Sequence, residues 1–500
     1  MEYFINCNTS SLAVYTVPLD QQKAAHLYRR LGFSASVDTI NAAVNQTANT
    51  LVDSLVDQAL NATTTTAPSW ADWNNSNYPA DDDQASQLRR TQRQEWGLAY
   101  ANDMLNNNLR DRLSFFWSNH FVTEIDVYDC NSFLYHYVNC LQRNALGNFK
   151  TFVEEIGLTS AMLYYLDGVY NNGNNPNENY GRELLELFTL GEGNAYTEED
   201  VIETAKALTG YVERGEIGCE AVLFDATKHD AGSKTIFGQT GNWNYQDVHD
   251  ILFAQRPNEI AGFICRKLYE FFVHPDSKDQ AGNAQTIIDG MASTFITNNF
   301  EIAPVLRQLF KSQHFFDDDA IGVIIKSPFD IYYNLFKETN FTTTDTNISE
   351  VINYSSLLGQ TLFDPFDVAG WQRDRSWINT NFMIGRWLTV ESILLAFYQS
   401  NEEQFRDFGV QVAAPNGATT NDPAEVARAI IDKILPKGLL TTADYDTAIG
   451  IFRDPYEDNG VYEDSPDPSN FSWNMMLPNA HNQVYLLLQH LGRQPEFQLK

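Results

Sequence analysis

Residues 175–210 read NPNENYGRELLELFTLGEGNAYTEEDVIETAKALTG, and this stretch predicts two consecutive helices. Its leucines recur at helical spacing and supply the buried stripe of the first helix. Gly191 follows at the place where a helix commonly ends. Thr197 and Asp200 then have a spacing related to the capping box, which indicates that a second helix begins there.

The same helical period recurs on both sides of this stretch. Ala24, Leu27 and Leu31 share one face of a helix predicted over residues 21–33, and residues 86–117 read as one long helix. Strand patterns are few, and the Gly-rich region 211–245 predicts at most a short hairpin. We therefore predict a mostly α fold, with a bundle-like globular core of many helices and long irregular loops.

One irregular stretch, TNFTTTDTNIS at residues 339–349, is the best candidate for a domain boundary. It predicts an N-terminal helical core of residues 1–338 that carries the motifs. A C-terminal helical part, residues 350–500, is expected to pack on that core as one compact unit.

Charge excludes two classes of partner for this chain of 500 residues. Lys and Arg total 33 against 65 Asp and Glu, which gives a net charge of −32. Such a surface does not suit nucleic acid, whose binding needs clustered cations, or an anionic membrane. No transmembrane segment is expected, because no run of roughly 18 apolar residues occurs. The opening MEYFINCNTSSLAVYTVPL lacks the basic and apolar regions of a signal peptide, so we expect no signal peptide in this sequence.

The five cysteines do not form a metal-binding or redox motif, since no CxxC pair occurs. Cys130 and Cys140 lie ten residues apart, and a disulfide between them is one option that the spacing does not decide.

The polar side of the first helix in residues 175–210 is the main candidate site. Glu178, Arg182 and Glu186 follow one another at intervals of four, with Glu183 on the neighbouring row beside Asn179. Such a face suits a divalent cation, which prefers oxygen ligands, or a carboxylate acid and base. The alternative is an ordinary salt-bridged helix surface.

Two further groups carry candidate chemistry. His229 and Asp230 could form a base with its orienting carboxylate, or simply a turn with a capping Asp. His120 lies in the aromatic run FFWSNHF and is either a metal ligand or a hydrogen-bonded core residue. Together with Glu183 and His229 it makes up the candidate metal set.

Substrate-binding candidates come from two other segments. Arg29 and Arg30 could clamp a carboxylate, phosphate or sulfate, or pair with the many acids of the chain. Arg182 is the matching candidate on the central helix. Trp371, Trp377 and Asn379 resemble a sugar-binding surface, where ring faces stack; the alternative is that the tryptophans anchor a loop to the core.

Several segments together carry a family resemblance. They are AAHLYRRLGFSAS, FWSNHFVT, NPNENYGRELLELFTLGEGNAYTEEDV, HDAGSKTIFG, IIKSPFD and LFDPFDVAGWQRDRSWINT, in this order between about residues 21 and 387. They resemble the successive signatures of a bacterial family called domain of unknown function 1800, and this version looks most like members from Bacteroidota.

The resemblance implies a mostly helical, usually exported bacterial protein. Genes of the family often neighbour that of a protein related to sulfatases and alkaline phosphatases. Many members resemble WHxHF at Trp117–Phe121, and some have His where Phe188 stands. Ser118 and Phe188 occupy those places here, which weakens a transition-metal site and favours an oxygen-rich one.

We therefore expect an extracytoplasmic enzyme, a hydrolase or lyase, that acts on a polymer such as an acidic or sulfated polysaccharide. A divalent cation is the cofactor to test. Replacing Glu183 with Gln would then abolish turnover. The alternative is a non-catalytic cell-surface binding or assembly protein, or a partner of the sulfatase- or phosphatase-like protein; the same replacement would then lower the melting temperature.

Overall fold

A computed structural model describes residues 10–212, 218–275, 283–414, 420–457 and 473–500, without the side chains of residues 454–457. Within these ranges the chain forms twenty-two α-helices. They are α1 Gln21–Leu31, α2 Val37–Ala43, α3 Ala48–Asn61, α4 Asp82–Asn106, α5 Leu109–Ser118, α6 Ile125–Tyr128, α7 Asn131–Asn144, α8 Phe149–Gly157, α9 Ser160–Tyr165, α10 Asn179–Glu183, α11 Glu198–Ala207, α12 Tyr245–Gln255, α13 Pro257–Phe272, α14 Asn283–Thr297, α15 Ile302–Phe310, α16 Pro328–Thr339, α17 Asp345–Leu357, α18 Thr380–Ser400, α19 Glu403–Ala413, α20 Pro423–Ile434, α21 Thr442–Glu457 and α22 Ala480–Gly492. The predicted mostly α fold is confirmed.

Strands are short and confined to the predicted hairpin region. β1 Tyr211–Val212 pairs antiparallel with β2 Leu223–Phe224, and β3 Lys234–Ile236 pairs antiparallel with β4 Gln239–Gly241. The turn between β3 and β4 has positive φ at both of its central residues, 47° at Phe237 and 77° at Gly238. This is the backbone that a two-residue hairpin requires.

The helix starts follow the local sequence, but one predicted helix is broken. The Thr197 hydroxyl accepts from the backbone N–H of Asp200, and the Asp200 carboxylate accepts from the N–H of Thr197, so the predicted cap of α11 is confirmed. The predicted helix over residues 86–117 is instead two helices, α4 and α5. Asn108 between them has a φ of 50°, which an α-helix does not tolerate.

The described helices share one hydrophobic core, which crosses the proposed boundary at residues 339–349. The Phe397 ring on α18 contacts Phe336 on α16 and also Phe341, at ring-centre distances of 5.1 and 5.5 Å. α17 already begins at Asp345, inside the predicted linker. The division into two parts stays a prediction.

A disulfide links two distant parts of the chain. Cys130 pairs with Cys219, which is 89 residues away, so the option of a Cys130–Cys140 bond is wrong in this structure. Cys140 and Cys265 are buried free thiols, and Cys7 lies outside the described residues. None of the helices described above has the length and apolar character that a membrane span needs.

Candidate functional site

The predicted carboxylate face is a salt-bridged surface in this structure. Arg182 contacts Glu178 at 3.2 Å, Glu186 at 3.3 Å and Glu198 at 2.7 Å. The Glu198 side chain is 72% exposed, and this partner at the start of α11 is one that the sequence pattern did not indicate. Because each carboxylate is held by the same guanidinium, the arrangement matches the alternative stated above rather than an open cation site.

Glu183 lies apart from that ion network and is half-buried. Burial raises the pKa of its carboxyl, and the charge of Glu186 raises it further, while Arg182 opposes both. A carboxyl with a raised pKa suits a proton donor, but neither His120 nor His229 joins it in a hydrogen bond.

The chain after Glu183 continues as a π-helix, Leu184–Thr189, that the helical period did not predict. The Leu190 N–H donates to the Leu185 carbonyl five residues earlier, in place of the usual four-residue closure. The Thr189 side-chain hydroxyl donates to the Leu184 carbonyl at 2.6 Å.

His120 packs in the core beneath this π-helix. Its Nε2 lies 3.1 Å from the Phe188 carbonyl, which can only accept, so Nε2 carries the proton. Its Nδ1 therefore accepts from the Lys267 amine at 2.9 Å. Burial holds the pKa of His120 well below its usual range, and Lys267 lowers it further. Both ring nitrogens are used, as the hydrogen-bonded core alternative predicts.

His229 and Asp230 do not form a base and its orienting acid. The His229 Nδ1 faces the Thr209 carbonyl at 3.0 Å, whereas the Asp230 carboxylate accepts from the Gly232 N–H at 2.7 Å. The buried Lys234 amine donates to the carbonyls of Asp230 and Gly232. The segment is a turn fastened by Lys234, which is the second alternative stated above.

The three candidate metal ligands are not brought together. In the part of the chain that the structure describes, His, Cys and acidic ligand atoms converge only at Glu402, Glu403 and His481. Glu403 is held there by Arg406 at 2.9 Å. The set of His120, Glu183 and His229 therefore lacks the geometry of a common site.

Arg29 and Arg30 are buried and not exposed at the surface. Arg29 donates to Glu338 at 2.5 Å and to the Lys433 carbonyl at 2.7 Å, and it lines a cavity of about 540 Å³ between α1 and α20. Arg30 donates to the Ala320 carbonyl at 2.7 Å, while its Nε and Nη1 have no hydrogen-bond partner among the described residues. Burial lowers the pKa of Arg30 to about 9.

Trp371 and Trp377 do lie together, and Asn379 does not join them. Trp371 and Trp377 both line a cavity of about 230 Å³, which we call the tryptophan cavity. The Trp371 indole N–H donates to the Thr361 carbonyl at 2.9 Å, so this ring is also an anchor of its loop. Asn379 is exposed and caps α18 by accepting from the Phe382 N–H.

Aromatic side chains from three elements form the walls of the tryptophan cavity. Phe115 and Phe116 come from α5, Phe271 comes from α13, and the two tryptophans come from the loop before α18. The Phe115 and Trp371 ring centres lie 4.9 Å apart. Asn119 fixes the loop, because its side-chain oxygen accepts from the Trp371 backbone N–H at 2.6 Å.

The floor of the cavity is a buried ion group. Asp330, on the first turn of α16, accepts from Arg112 at 2.7 Å and from Lys500 at 2.5 Å. Arg112 and Lys500 thus share one carboxylate, and against the effect of burial they hold the pKa of Asp330 well below its usual range. The charge of Asp330 in turn raises the pKa of Arg30, which burial lowers. Burial and the repulsion of Arg112 lower the pKa of Lys500 to about 7.

Sequence reasoning missed the floor of this cavity. Ser327 and Asp330 make a capping box, and their spacing within IIKSPFD shows the start of α16. That spacing does not show which cations meet Asp330, because Arg112 and Lys500 lie 218 and 170 residues away along the chain.

Comparison with known proteins identifies the family of the chain. No curated protein and no solved structure matches the chain. A family model matches residues 26–499, nearly its whole length. The match confirms the resemblance drawn from the segments above, while the likeness to Bacteroidota stays a prediction. The chain belongs to the family described as Protein of unknown function (DUF1800).

Proposed function

We propose that this protein binds an acidic or sulfated polysaccharide outside the cytoplasm, with one sugar ring in the tryptophan cavity, and acts on it as an enzyme. The observation that carries the proposal is the cavity itself: tryptophan and phenylalanine walls stand over a floor where Arg112 and Lys500 share the Asp330 carboxylate.

The walls suit a flat ring. Trp371 and Trp377 offer apolar faces of the kind on which sugar rings stack, and the polar side chains of Asn119, Ser327 and Gln360 lie at the same cavity. The volume of about 230 Å³ is below the roughly 300 Å³ at which pockets for drug-sized ligands begin, so it suits a single ring.

The charged side chains of the cavity leave one exposed cation for an anion on that ring. Arg112, Lys500 and the exposed Arg373 line the cavity together with three carboxylates, Glu270, Asp330 and Asp374. Arg112 and Lys500 are both held by Asp330. A carboxylate or sulfate on the ligand would therefore pair with Arg373.

The disulfide supports an extracytoplasmic location. Disulfides form and persist in oxidising compartments, and Cys130–Cys219 joins segments that are distant in sequence. This agrees with the exported character that the family resemblance implies. The non-catalytic surface protein and the role as partner of a sulfatase- or phosphatase-like protein stay alternatives, with no contact described above that favours them.

Binding of defined glycans by the full chain tests the proposal. We would measure calorimetric affinities for chondroitin sulfate, polygalacturonate and an uncharged glucan at low and moderate salt. We expect an acidic glycan to bind and the uncharged one not to, and the affinity to fall with salt because charge pairs are screened.

Two exposed arginines give a matched pair of variants. Arg373 lines the cavity and Arg375 does not, although both lie on the same loop. We expect Arg373→Gln to weaken binding of the acidic glycan about tenfold, which corresponds to losing roughly one charged hydrogen bond. Arg375→Gln should bind as the unaltered chain does. Equal losses in both variants, or equal binding of charged and uncharged glycans, would contradict the proposal.

A further inference from the structure

Gln360 and Asn119 line the tryptophan cavity with side-chain amides whose orientation is fixed. The Gln360 Oε1 accepts from the Phe329 backbone N–H at 3.2 Å. The Asn119 Oδ1 accepts from the Trp371 backbone N–H at 2.6 Å. A backbone N–H can only donate, so the atom that faces it in each amide is the oxygen. The NH₂ group of each side chain is left without a hydrogen bond to any described residue.

Ser327 adds a third donor of the same kind. Its hydroxyl oxygen accepts from the Asp330 backbone N–H at 3.2 Å in the capping box of α16, so the hydroxyl hydrogen is left to donate. We call Asn119, Ser327 and Gln360 the donor set. Gln360 is 3% exposed and Ser327 is 7% exposed, so two of these three donors are buried.

The buried carboxylate of the cavity is not a free acceptor for these donors. Both Asp330 oxygens already accept from Arg112, and one of them also accepts from Lys500. The other carboxylates that line the cavity, Glu270 and Asp374, are half-buried. A buried donor without a partner is costly, so the donor set favours a ligand oxygen that accepts.

An oxygen without a hydrogen suits the donor set better than a sugar hydroxyl does. A hydroxyl accepts, but its own hydrogen needs an acceptor in turn. Carboxylate, sulfate and acyl carbonyl oxygens carry no hydrogen. Among these the neutral acyl carbonyl fits the buried part of the cavity best, because a buried anion needs a cation and Arg112 and Lys500 are already held by Asp330.

The apolar walls suit the rest of an acetamido group. This group joins a carbonyl to a methyl, and Phe115, Trp371 and Trp377 offer apolar rings at the same cavity. Its N–H needs an acceptor, and the half-buried Asp374 carboxylate lines the cavity as one. Walls and donor set together match the three parts of an acetamido group.

We propose that the ring in the tryptophan cavity is an N-acetylated amino sugar, whose acetamido carbonyl accepts hydrogen bonds from the donor set. Gln360 is the residue that determines this specificity, because it is the most buried donor of the set. The inference rests on the proposed function, since it names the sugar within the polysaccharide. The anion of the ligand still pairs with Arg373.

A matched pair of neutral sugars tests the inference without the charge of a polysaccharide. N-acetylgalactosamine and galactose differ only at the acetamido group, and we would titrate each into the full chain and record saturation-transfer NMR spectra. We expect N-acetylgalactosamine to bind at least about tenfold more tightly, because galactose leaves the donor set without a carbonyl. The acetyl methyl should show the strongest saturation, since it packs against the tryptophans. Equal binding of the two sugars, or binding of neither, would overturn the inference.

Two glutamines give a matched pair of variants. Gln360→Glu keeps an oxygen for the Phe329 N–H and removes the NH₂ donor, whereas Gln372 is exposed in the same loop as Trp371 and does not line the cavity. We expect Gln360→Glu to weaken binding of N-acetylgalactosamine about tenfold, and Gln372→Glu to leave it unchanged. Gln360→Met removes the donor without adding a charge and serves where the first variant does not fold. Unchanged binding in a folded Gln360 variant would contradict the inference.

Binding of the neutral sugar and binding of an acidic glycan separate this inference from the proposed function. If an acidic glycan binds and depends on Arg373 while N-acetylgalactosamine does not bind, the acetamido site is wrong and the proposed function stands. If N-acetylgalactosamine binds and depends on Gln360 while acidic glycans bind no better than uncharged ones, the acetamido site stands and the anionic ligand is wrong.

Discussion

At Glu183 burial and neighbouring charge act in the same direction on one carboxyl. Both raise its pKa, so the folded chain holds the ionised form at a cost relative to the unfolded chain. This destabilisation is present above the pKa that Glu183 has in the folded chain. It disappears as the pH falls below the pKa that Glu183 has in the unfolded chain. We expect Glu183→Gln to raise the free energy of unfolding at pH 7 by less than about 1 kcal/mol, since solvent screens a half-buried group. Urea unfolding at pH 7 and pH 3.5 measures it, with the gain absent at the lower pH.

Glu178→Gln is the matched control, because Glu178 is 44% exposed and its ion pair with Arg182 is a surface one. We expect a change within about 0.5 kcal/mol there. A loss of stability in Glu183→Gln would instead support the expectation that a polar network at Glu183 holds the fold together.

Individual residues also show what a sequence can and cannot reveal about a site. The presence of Trp371 and Trp377 in one cavity could be predicted, because the two residues are six positions apart in one loop. The ion pair of Arg112 with Asp330 could not be predicted, because only the packing of α5 against α16 brings the two side chains together. Charged residues at helical spacing, such as Glu178 and Arg182, were visible but could not be distinguished from an ordinary helix surface.

The elements were predicted best where the chain carries its own start and stop patterns. The cap at Thr197 and the glycine at Gly191, with a φ of 94°, depend on neighbouring residues only. The break at Asn108 and the π-helix after Glu183 depend on tertiary contacts instead. A 3.6-residue period cannot register one extra residue in a helical turn, so the Phe188 carbonyl that holds His120 was not expected.

A disulfide links the start of α7 to the segment before β2. Cys130–Cys219 closes a loop of 89 residues, which restricts the unfolded chain. We expect Cys130→Ala with Cys219→Ala to lower the free energy of unfolding by about 3–4 kcal/mol in guanidinium unfolding. Reducing the unaltered chain should cause the same loss and should add nothing to the double variant. A non-reduced peptide map that joined Cys130 to Cys140 would contradict the pairing.

Across the whole molecule, four lysines in this acidic chain have a lowered pKa. Burial lowers the pKa of Lys267, Lys433 and Lys500 to about 7 and that of Lys326 to about 8. Glu338 and Asp330 are the carboxylates that act on the last three. Burial favours the uncharged form of each amine, so the interior gains from losing these protons.

Loss of those protons makes the stability of the molecule depend on pH. The unfolded chain keeps each lysine protonated up to about pH 10.4, whereas the folded chain releases the proton near pH 7 to 8. Since the unfolded state then binds more protons, the free energy of unfolding rises with pH. We expect a rise of at least about 1 kcal/mol between pH 7 and 8.5, measured by urea unfolding at constant ionic strength.

The buried thiols oppose this rise at higher pH. Burial raises the pKa of Cys140 to about 12, so above about pH 8.5 the unfolded chain loses a thiol proton that the folded chain keeps, and this offsets part of the lysine contribution. Lys433→Met isolates the contribution of one lysine, because among the described residues the Lys433 amine has only the Ala35 carbonyl, at 3.5 Å, as a hydrogen-bond partner. We expect this variant to be at least as stable at pH 7 and to show a shallower rise, since a buried charge is replaced by an apolar side chain. An unchanged or falling stability between pH 7 and 8.5 in the unaltered chain would mean that its buried lysines stay charged and are balanced in the fold.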